Sequence, residues 1–308
     1  MDPLSDVLLL VRPNNYASGL LARRGRWALQ FPEHEGIKCY AVMKGECFVV
    51  LDGVKKPVHL STGDCLMLPH GHSFRLCSDV RARAIDARTL FPGGRSGRYN
   101  VARSIAPGDD FILIGGHFSL ERNAEALLRV LPPFVHLPKG ADQPSLRGHL
   151  EQLMEEMKNP QPGGFLLAQQ SAYSILVIVL RLYLARGERG GIGWLFALAD
   201  PQMARAITSM HGEPGSAWTV QTLAERAGMS RTTFAEHFRR MVGESPMEYL
   251  TRWRMLLAGE RLLRSNASVF EIASTVGYGS ESAFSAAFKR TMGASPRAYA
   301  RGHRASGR

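Results

Sequence analysis

Two short stretches near the C-terminal end carry residue types that suit contact with nucleic acid. They are Ser230–Arg240 and Ser280–Arg290, which lie fifty positions apart, and each ends in two adjacent basic residues. A helix formed by either stretch would present small polar side chains on its outward face. Such groups can read base edges in the major groove of duplex DNA, while basic groups bind phosphates. These residues predict DNA recognition.

Each stretch follows a segment that predicts a first, shorter helix and a tight turn. Thr219 and Ser268 are N-cap residue types, and Ser268 to Glu271 forms a capping box. Gly228 and Gly277 stand where the first helix must end, because glycine adopts a positive φ without penalty. A helix-turn-helix pattern that occurs twice in register favours a DNA-binding surface over an ordinary helical hairpin. Phenylalanines four residues apart give each second helix an inward face: Phe234, Phe238, Phe284 and Phe288.

The segment between the two patterns is strongly helical. Pro246–Arg264 would be about 28 Å long at 1.5 Å per residue. This length is close to the ~34 Å turn of duplex DNA, so two recognition helices could enter successive major grooves on one face. Its apolar side chains are interpreted as core: Tyr249, Trp253, Leu256, Leu257 and Leu263.

Positions 200–301 resemble the DNA-binding domain of the AraC/XylS family of bacterial transcriptional regulators. The most specific residues are Ile272-Ala273, Val276-Gly277-Tyr278, Ser282-Ala283-Phe284-Ser285, Phe288-Lys289-Arg290, Gly293-Ala294-Ser295-Pro296 and Tyr299. The resemblance implies a sequence-specific transcription factor that binds double-stranded DNA and works with RNA polymerase in the bacterial cytoplasm, without enzyme activity.

The resemblance also implies roles for individual residues. Family members often have arginine where Glu236 and Ala286 stand, and arginine would contact guanine. For Glu236 two roles stay open, accepting from a cytosine amino group or orienting Arg240. The implied base-facing residues are Arg231, Thr232, Ala235, Glu236, Glu281, Ser282, Ser285 and Ala286. The implied phosphate-binding residues are Ser230, Arg239, Arg240, Ser280, Lys289 and Arg290, with Arg231 a further candidate.

Composition agrees with a partner of negative charge. The 308 residues carry a net charge of +11, and excess positive charge favours a polyanion. The N-terminus has no basic region or cleavage site of a signal peptide. The apolar run Ser174–Leu180 is far shorter than the ~20 residues that a membrane span requires, so no membrane partner is expected.

Residues 25 to about 115 predict β-structure. The expected strands are Trp27–Phe31, Lys38–Met43, Glu46–Leu51, Val58–Leu60, Cys65–Leu68, Phe74–Cys77 and Phe111–Ile114. Turn signals such as Asp52-Gly53 separate them, which is typical of a closed antiparallel barrel or jelly roll. Gly63–Gly71 resembles the second motif of cupins. It lies in the part of the chain where AraC-type regulators commonly carry a cupin-like sensor.

Neither a metal nor another cofactor is expected. Phe74 stands where catalytic cupins place a ligand histidine, and Lys38–Glu46 contains no histidine. A metal-dependent cupin enzyme is therefore the disfavoured alternative, with His34 and His59 as remaining candidates beside two loop histidines. A barrel encloses a cavity that can bind a small-molecule effector. The predicted effector pocket is Tyr40, His70, His72 and Phe74.

Redox sensing is the second alternative. The four cysteines are Cys39, Cys47, Cys65 and Cys77, without a CxxC motif, and they suit a reducing compartment. One hypochlorite-sensing member of the resembled subgroup uses a cysteine in the last barrel strand. The corresponding stretch here, Ile112–Gly116, has no thiol, which leaves a pairing of Cys39 with Cys47 as the open possibility.

The predicted fold class is α+β and multidomain: a cupin-like barrel or jelly roll, a helical segment and an all-α domain with two helix-turn-helix motifs. The predicted domains are 1–116 for effector sensing, 117–192 for dimerisation or linking, and 193–308 for DNA binding. Helices are expected at Asn123–Leu131, Pro144–Asn159 and Phe165–Arg186, with a linker at 187–193. The third helix suits either a homodimer interface or packing within its own domain. Asp200-Pro201 is expected to open a helix, and Ser5 and Asp6 to cap a short one on the domain behind it.

Overall fold

A computed structural model describes residues 2–11, 14–90, 100–101, 105–119, 131–140, 144–186 and 191–306. The chain forms two compact units. One is Arg12–Arg186, and the other combines Met1–Val11 with Gly187–Arg308. The predicted helix at 123–131 and most of the linker at 187–193 lie outside the described residues.

The first unit is built on two sheets. Its strands are β1 (Asn14–Arg23), β2 (Ala28–Phe31), β3 (Ile37–Lys44), β4 (Glu46–Leu51), β5 (Val58–Ser61), β6 (Cys65–Leu68), β7 (Phe74–Cys77), β8 (Ile85–Asp86), β9 (Asn100–Val101), β10 (Phe111–Ser119) and β11 (Val135–Leu137). The six-stranded sheet has the order β11-β6-β3-β10-β1-β9, and the five-stranded sheet has the order β5-β4-β7-β2-β8.

The seven expected strands are present, three with the expected ends and four with shifted ends, whereas β1 was not predicted. Its sequence lacks alternation, and it forms because it pairs along β10, with Leu20 opposite Ile114 and Leu21 opposite Leu113. Strand β4 follows the expected pattern, since Cys47, Val49 and Leu51 are buried and alternate with more exposed neighbours. Their side chains belong to the hydrophobic core shared by the two sheets.

Two helices pack with the six-stranded sheet: α2 (Pro144–Lys158) and α3 (Gly164–Ala185). Helix α2 buries Leu146, Leu150, Leu153 and Met157, which lie on the predicted stripe. Helix α3 has 22 residues and is apolar enough to cross a membrane by length and composition alone. The apolar run therefore exceeds Ser174–Leu180, but a buried core helix meets the same criterion. One face of α3 is buried in the unit, around Leu176 and Val179.

The second unit is helical. After α1 (Pro3–Val11) it contains α4 (Trp194–Ala197), α5 (Pro201–Gly212), α6 (Val220–Ala227), α7 (Arg231–Val242), α8 (Pro246–Arg264), α9 (Val269–Thr275), α10 (Glu281–Met292) and α11 (Pro296–Ser306). Asp200 caps α5 as expected, since its Oδ1 accepts from the amides of Gln202 at 2.8 Å and Met203 at 3.1 Å.

Helix α1 differs from its prediction in both cap and location. Its cap is Asp2, whose Oδ1 accepts from the Ser5 amide at 3.0 Å. The helix packs on α5 and α8 of the second unit and does not belong to the unit of the barrel. Asp6 Oδ2 lies 3.5 Å from Nδ1 of buried His211, whose ring stacks on Trp253 at 3.9 Å. The compact units thus group residues 1–11 with the C-terminal part, and α2 and α3 with the barrel, unlike the three predicted segments.

Candidate nucleic-acid interface

The first helix pair, α6 and α7, is defined by local hydrogen bonds. Thr219 Oγ1 accepts from the Thr222 amide at 3.1 Å, and Thr222 Oγ1 accepts from the Thr219 amide at 3.0 Å. This reciprocal capping box extends the single N-cap that the sequence predicted. Helix α6 ends at Gly228, with a φ of +69°. Ser230 Oγ then accepts from the Thr233 amide at 3.2 Å and begins α7.

The second pair, α9 and α10, repeats this arrangement. Ser268 Oγ accepts from the Glu271 amide at 3.2 Å, and Glu271 Oε2 accepts from the Ser268 amide at 2.7 Å, which confirms the predicted capping box. Helix α9 ends at Thr275, just before Gly277 with a φ of +82°. Ser280 Oγ accepts from the Ala283 amide at 3.3 Å and begins α10. Both predicted recognition helices therefore start at a serine N-cap.

The loop before the first pair meets the turn of the second pair beside the connecting helix α8. A β-carbon at Gly277 would lie 2.6 Å from the carbonyl oxygen of Gly215, so only glycine fits this contact. Arg254 of α8 donates from Nε to the Pro214 carbonyl at 2.6 Å and from Nη2 to the Ser216 carbonyl at 2.7 Å. The loop before the first pair is thus fixed against the turn of the second pair.

The inward faces of α7 and α10 form the expected cores. Phe234, Phe238, Phe284 and Phe288 are fully buried. The ring of Phe238 lies 5.8 Å from Tyr249, and that of Phe288 lies 5.3 Å from Tyr299. These contacts orient each helix, because one face is fixed in the core and the opposite face must lie toward solvent.

The predicted contact residues lie on that opposite face. Of the predicted base-facing residues, Arg231, Thr232, Glu236, Ser282 and Ala286 are exposed, and Ala235, Glu281 and Ser285 are half-buried. The predicted phosphate-binding residues are exposed: Ser230, Arg239, Arg240, Ser280, Lys289 and Arg290. Each helix therefore presents its predicted residues on one accessible surface.

A chain of three side chains braces the first surface. Asp200 Oδ2 accepts from His237 Nε2 at 2.9 Å, and His237 Nδ1 accepts from Arg240 Nη2 at 2.5 Å. Since a guanidinium only donates, neutral His237 carries its proton on Nε2. Burial works to raise the pKa of Asp200, but hydrogen bonds from His237 and two backbone amides outweigh it and lower the pKa. Asp200 therefore stays ionised near neutral pH. His237 is not among the residues that the sequence predicted.

The two glutamates of the predicted surface have different surroundings. Arg240 pairs with His237 in the described residues, so His237 orients this arginine, and both roles of Glu236 stay predictions. Glu281 Oε1 lies 3.6 Å from Nη2 of Arg297, a residue of α11. Both side chains of this ion pair are well exposed, which makes the pair weak and easily exchanged for another partner.

The four residues of the predicted effector pocket lie in two places. Tyr40 and Phe74 are buried in the core between the sheets, with their ring centroids 5.8 Å apart. His70 Nε2 lies 2.7 Å from the Leu131 carbonyl oxygen. The ring of exposed His72 lies 6.2 Å from His70. In the described part of the chain, no group of three or more His, Cys, Asp or Glu residues is arranged to hold a metal.

The cysteines do not support the proposed Cys39–Cys47 pairing. Cys39 lies on the six-stranded sheet, in a cleft lined by residues of α2 and α3, whereas Cys47 lies in the core on the five-stranded sheet. All four thiols are free. Burial raises the pKa of Cys47 and of Cys65 to about 12 and also raises that of Cys39. A neutral thiol is a poor nucleophile, so these residues lack the character of a redox sensor.

Comparison with known proteins identifies the two parts. Residues 2–185 match the cupin family and residues 223–302 match a helix-turn-helix domain. A protein of Streptomyces lividans described as an AraC-like transcription regulator is 43% identical over 303 residues, which are 97% of this chain and 98% of the relative. A protein of Streptomyces antibioticus with the same description is 42% identical over 301 residues, or 97% and 98% of the two chains.

Among solved structures, the DNA-binding domain of AdpA, a global transcriptional factor in complex with a target DNA, is 37% identical. That match covers 35% of this chain and 96% of the other, with a TM-score of 0.33. The likeness to the two Streptomyces proteins extends over nearly the whole chain. The chain therefore belongs to the AraC family of transcription regulators, with a cupin domain followed by a DNA-binding helix-turn-helix domain.

Proposed function

We propose that both helix pairs are helix-turn-helix motifs and that α7 and α10 enter successive major grooves of one operator. The observation that carries this proposal is the repeated design of the two pairs at the ends of α8, a helix of 19 residues. Its length of about 28 Å approaches the ~34 Å between equivalent grooves on one face of DNA.

Within this complex, the outward residues divide by reach and charge. Arg231, Thr232, Ala235 and Glu236 face bases in one groove, and Glu281, Ser282, Ser285 and Ala286 face bases in the next. Arg239, Arg240, Lys289 and Arg290 bind phosphates, together with the amides at the Ser230 and Ser280 caps. Because most base-facing side chains are small, DNA shape contributes more of the specificity than usual.

The barrel is proposed to sense a small-molecule effector and to alter how the DNA-binding helices are presented. In this scheme the sheets within residues 1–116 sense the effector, 117–192 connect or dimerise, and 193–308 bind DNA, with α1 attached to the DNA-binding unit. A jelly roll formed by the two sheets is the proposed frame, and Tyr40, His70, His72 and Phe74 are the proposed pocket. The relatives' description as transcription regulators supports a role that includes RNA polymerase and a cytoplasmic location, with no enzymatic step.

A homodimer through α3 is part of the proposal. Leu166 is 63% exposed and Leu167 is 47% exposed, opposite the buried face of the same helix. Exposed leucines on an apolar helix are typical of a surface that a second copy covers. Sedimentation of the full chain would show a dimer, and a monomer at micromolar concentration would contradict this part of the proposal.

The decisive experiment is capture of genomic DNA by the full chain at near-physiological salt, followed by footprinting of recovered fragments. We expect few sites, each with two protected major grooves one helical turn apart. A footprint over a single groove would remove the proposal for the second pair. Recovery of DNA without sequence preference would leave only charge-driven binding.

A further inference from the structure

One end of the two-sheet unit holds a cluster of nitrogen groups whose nearest acidic neighbour is Glu35, which acts on His117. We call it the barrel-end cluster: His34, Lys38 and His117, beside the stacked rings of Phe31 and Phe74. The two rings lie 4.7 Å apart and nearly parallel. The ring of His34 lies 5.8 Å from His117 and 6.1 Å from Phe74. The cluster brings together the loop after β2, the start of β3 and the end of β10.

Lys38 supplies the cation of this cluster at neutral pH. Its Nζ lies 5.2 Å from the centroid of Phe31 and 5.1 Å from that of Phe74, which gives cation–π contact. Burial lowers the pKa of Lys38 to about 8. Within the described residues, no carboxylate lies at ion-pair distance from it. A largely buried ammonium without a counter-ion is costly, and proteins normally pair such a charge.

His34 adds two unsatisfied polar atoms. Its Nδ1 and Nε2 are both buried and form no hydrogen bond of normal geometry, and the Pro32 backbone beside the ring only partly offsets the lowering of its pKa. Burial, with a contribution from Lys38, lowers the pKa of His34 to about 3, so the ring is neutral and offers one N–H donor. His117 is already engaged, since its Nε2 donates to the Glu35 carbonyl. Unsatisfied buried groups in a native fold call for a missing partner.

The loop that carries His34 is tied to the predicted pocket loop. The His34 amide donates to the Gly71 carbonyl at 2.8 Å. A β-carbon on Gly71 would lie 1.9 Å from the His34 carbonyl oxygen, and Gly71 has a φ of +63°. His70 and His72 flank this glycine. A ligand held by His34 would therefore act on the same loop as the proposed effector pocket.

We propose that the barrel-end cluster binds a small monocarboxylate, with one oxygen on the Lys38 ammonium and the other on the His34 N–H. This inference rests on the proposed effector role of the barrel and names its ligand class. At neutral pH one carboxylate matches one cation and one neutral donor, whereas a phosphate dianion would leave a charge without a partner. The ring nitrogens are shielded, so entry of the ligand displaces the loop that contains His72.

The test is calorimetric titration of the full chain at pH 7 with sodium benzoate and sodium hexanoate as probes. Lys38→Gln should weaken binding about tenfold or more, because it removes a charged hydrogen bond, and His34→Gln about fivefold. Lys56→Gln, which changes an exposed lysine on a turn, should bind like the natural protein. Affinity should also fall as pH rises above 8, where Lys38 loses its proton.

Several outcomes would overturn the carboxylate site. One is absence of binding at millimolar probe. Another is that Lys38→Gln and His34→Gln bind the probes as tightly as the natural protein. The third is that Lys56→Gln loses as much affinity as Lys38→Gln. Inorganic phosphate that competes as well as benzoate would overturn the choice of a monocarboxylate. Circular dichroism checks that each variant is folded. If Lys38→Gln is not folded, the affinity of His34→Gln alone tests the carboxylate site.

A parallel measurement of operator affinity separates this inference from the proposed function. Normal DNA binding without carboxylate binding would remove the site and leave the regulator intact. Carboxylate binding that leaves DNA affinity unchanged would keep the site and remove its effector role. Both assays use the same full-length protein, so the two failures are distinguishable.

Discussion

The two helix pairs share a scaffold but not a surface. Both recognition helices begin at a serine cap and end near a glycine with positive φ, at Gly243 and Gly293. Both turn two fully buried phenylalanines inward. This agreement shows that the repeated residues are those that fold and orient the helix, whatever DNA it reads.

The outward residues of the two pairs differ. The first helix carries Arg231, Arg239 and Arg240, the last of them braced by His237. The second helix carries only Lys289 and Arg290 as basic residues, small side chains along its outward face, and Glu281, which pairs with Arg297. We therefore expect the first pair to contribute more through charge and the second pair to contribute through close fit and one polar reader.

The largest predicted effect is a loss of stability that should be equal in the two pairs, because they share a scaffold. Phe238→Ala and Phe288→Ala should each lower the free energy of unfolding by about 3–5 kcal/mol, because each removes a fully buried ring and leaves a cavity. Urea unfolding followed by tryptophan fluorescence measures the change. Phe270→Ala, at a site that is 55% exposed, is the control and should stay within ~0.5 kcal/mol. A large difference between the two buried sites would show that the pairs are not equivalent scaffolds.

Glu281 tests whether the second pair reads a base. Glu281→Ala should cost about 1–3 kcal/mol of binding at one base pair and nothing at others. Affinities for duplexes with single base-pair changes measure it, with Glu225→Ala on α6 as a matched control outside the recognition helix. A uniform loss, or none, would mean that Glu281 serves only its ion pair with Arg297.

The features that the sequence predicted are those that depend on neighbours in the chain. The Ser268 capping box and the glycine stop at Gly228 involve residues within one helical turn, so residue type and spacing determine them. Strand β4 was predictable because its alternating side chains record which face is buried. Local rules of this kind apply wherever the segment lies in the fold.

The features that were missed depend on distant partners. Strand β1 exists because it pairs with β10, about ninety residues further along the chain. Helix α1 was placed on the wrong unit because its apolar face fits any apolar surface, and only the fold selects α5 and α8. His237 meets Asp200 from 37 positions away. Nothing in the local sequence shows such a pairing.

The basic residues at the helix ends give a third and smaller comparison. Arg240→Ala and Arg290→Ala should each weaken binding to all sequences alike and lower the salt slope by about one unit. Titrations at several salt concentrations measure the slope. Lys55→Ala, an exposed charge on a barrel turn, should leave it unchanged. A change in base preference in either variant would place that arginine in the groove instead of on the phosphates.

The smallest predicted effect concerns the brace from His237 to Arg240, which has no counterpart at the second pair in the described residues. The position fifty residues after His237 is Ala287, which is buried and has no polar group to hold Arg290. His237→Ala therefore makes the first pair resemble the second, and the guanidinium of Arg240 must be ordered when DNA binds. We expect a loss of about two- to fivefold in affinity, as for one hydrogen bond, with the salt slope unchanged because no charge is removed.

The double variant His237→Ala with Arg240→Ala completes this test. If His237 acts through Arg240, the double variant should bind like Arg240→Ala alone, because the brace has nothing left to orient. Additive losses would mean that His237 contributes to DNA binding by another route, such as the fit of α7 against the Asp200 cap. In that case the asymmetry between the two pairs would lie in how each helix is seated, and not in how its arginine is held.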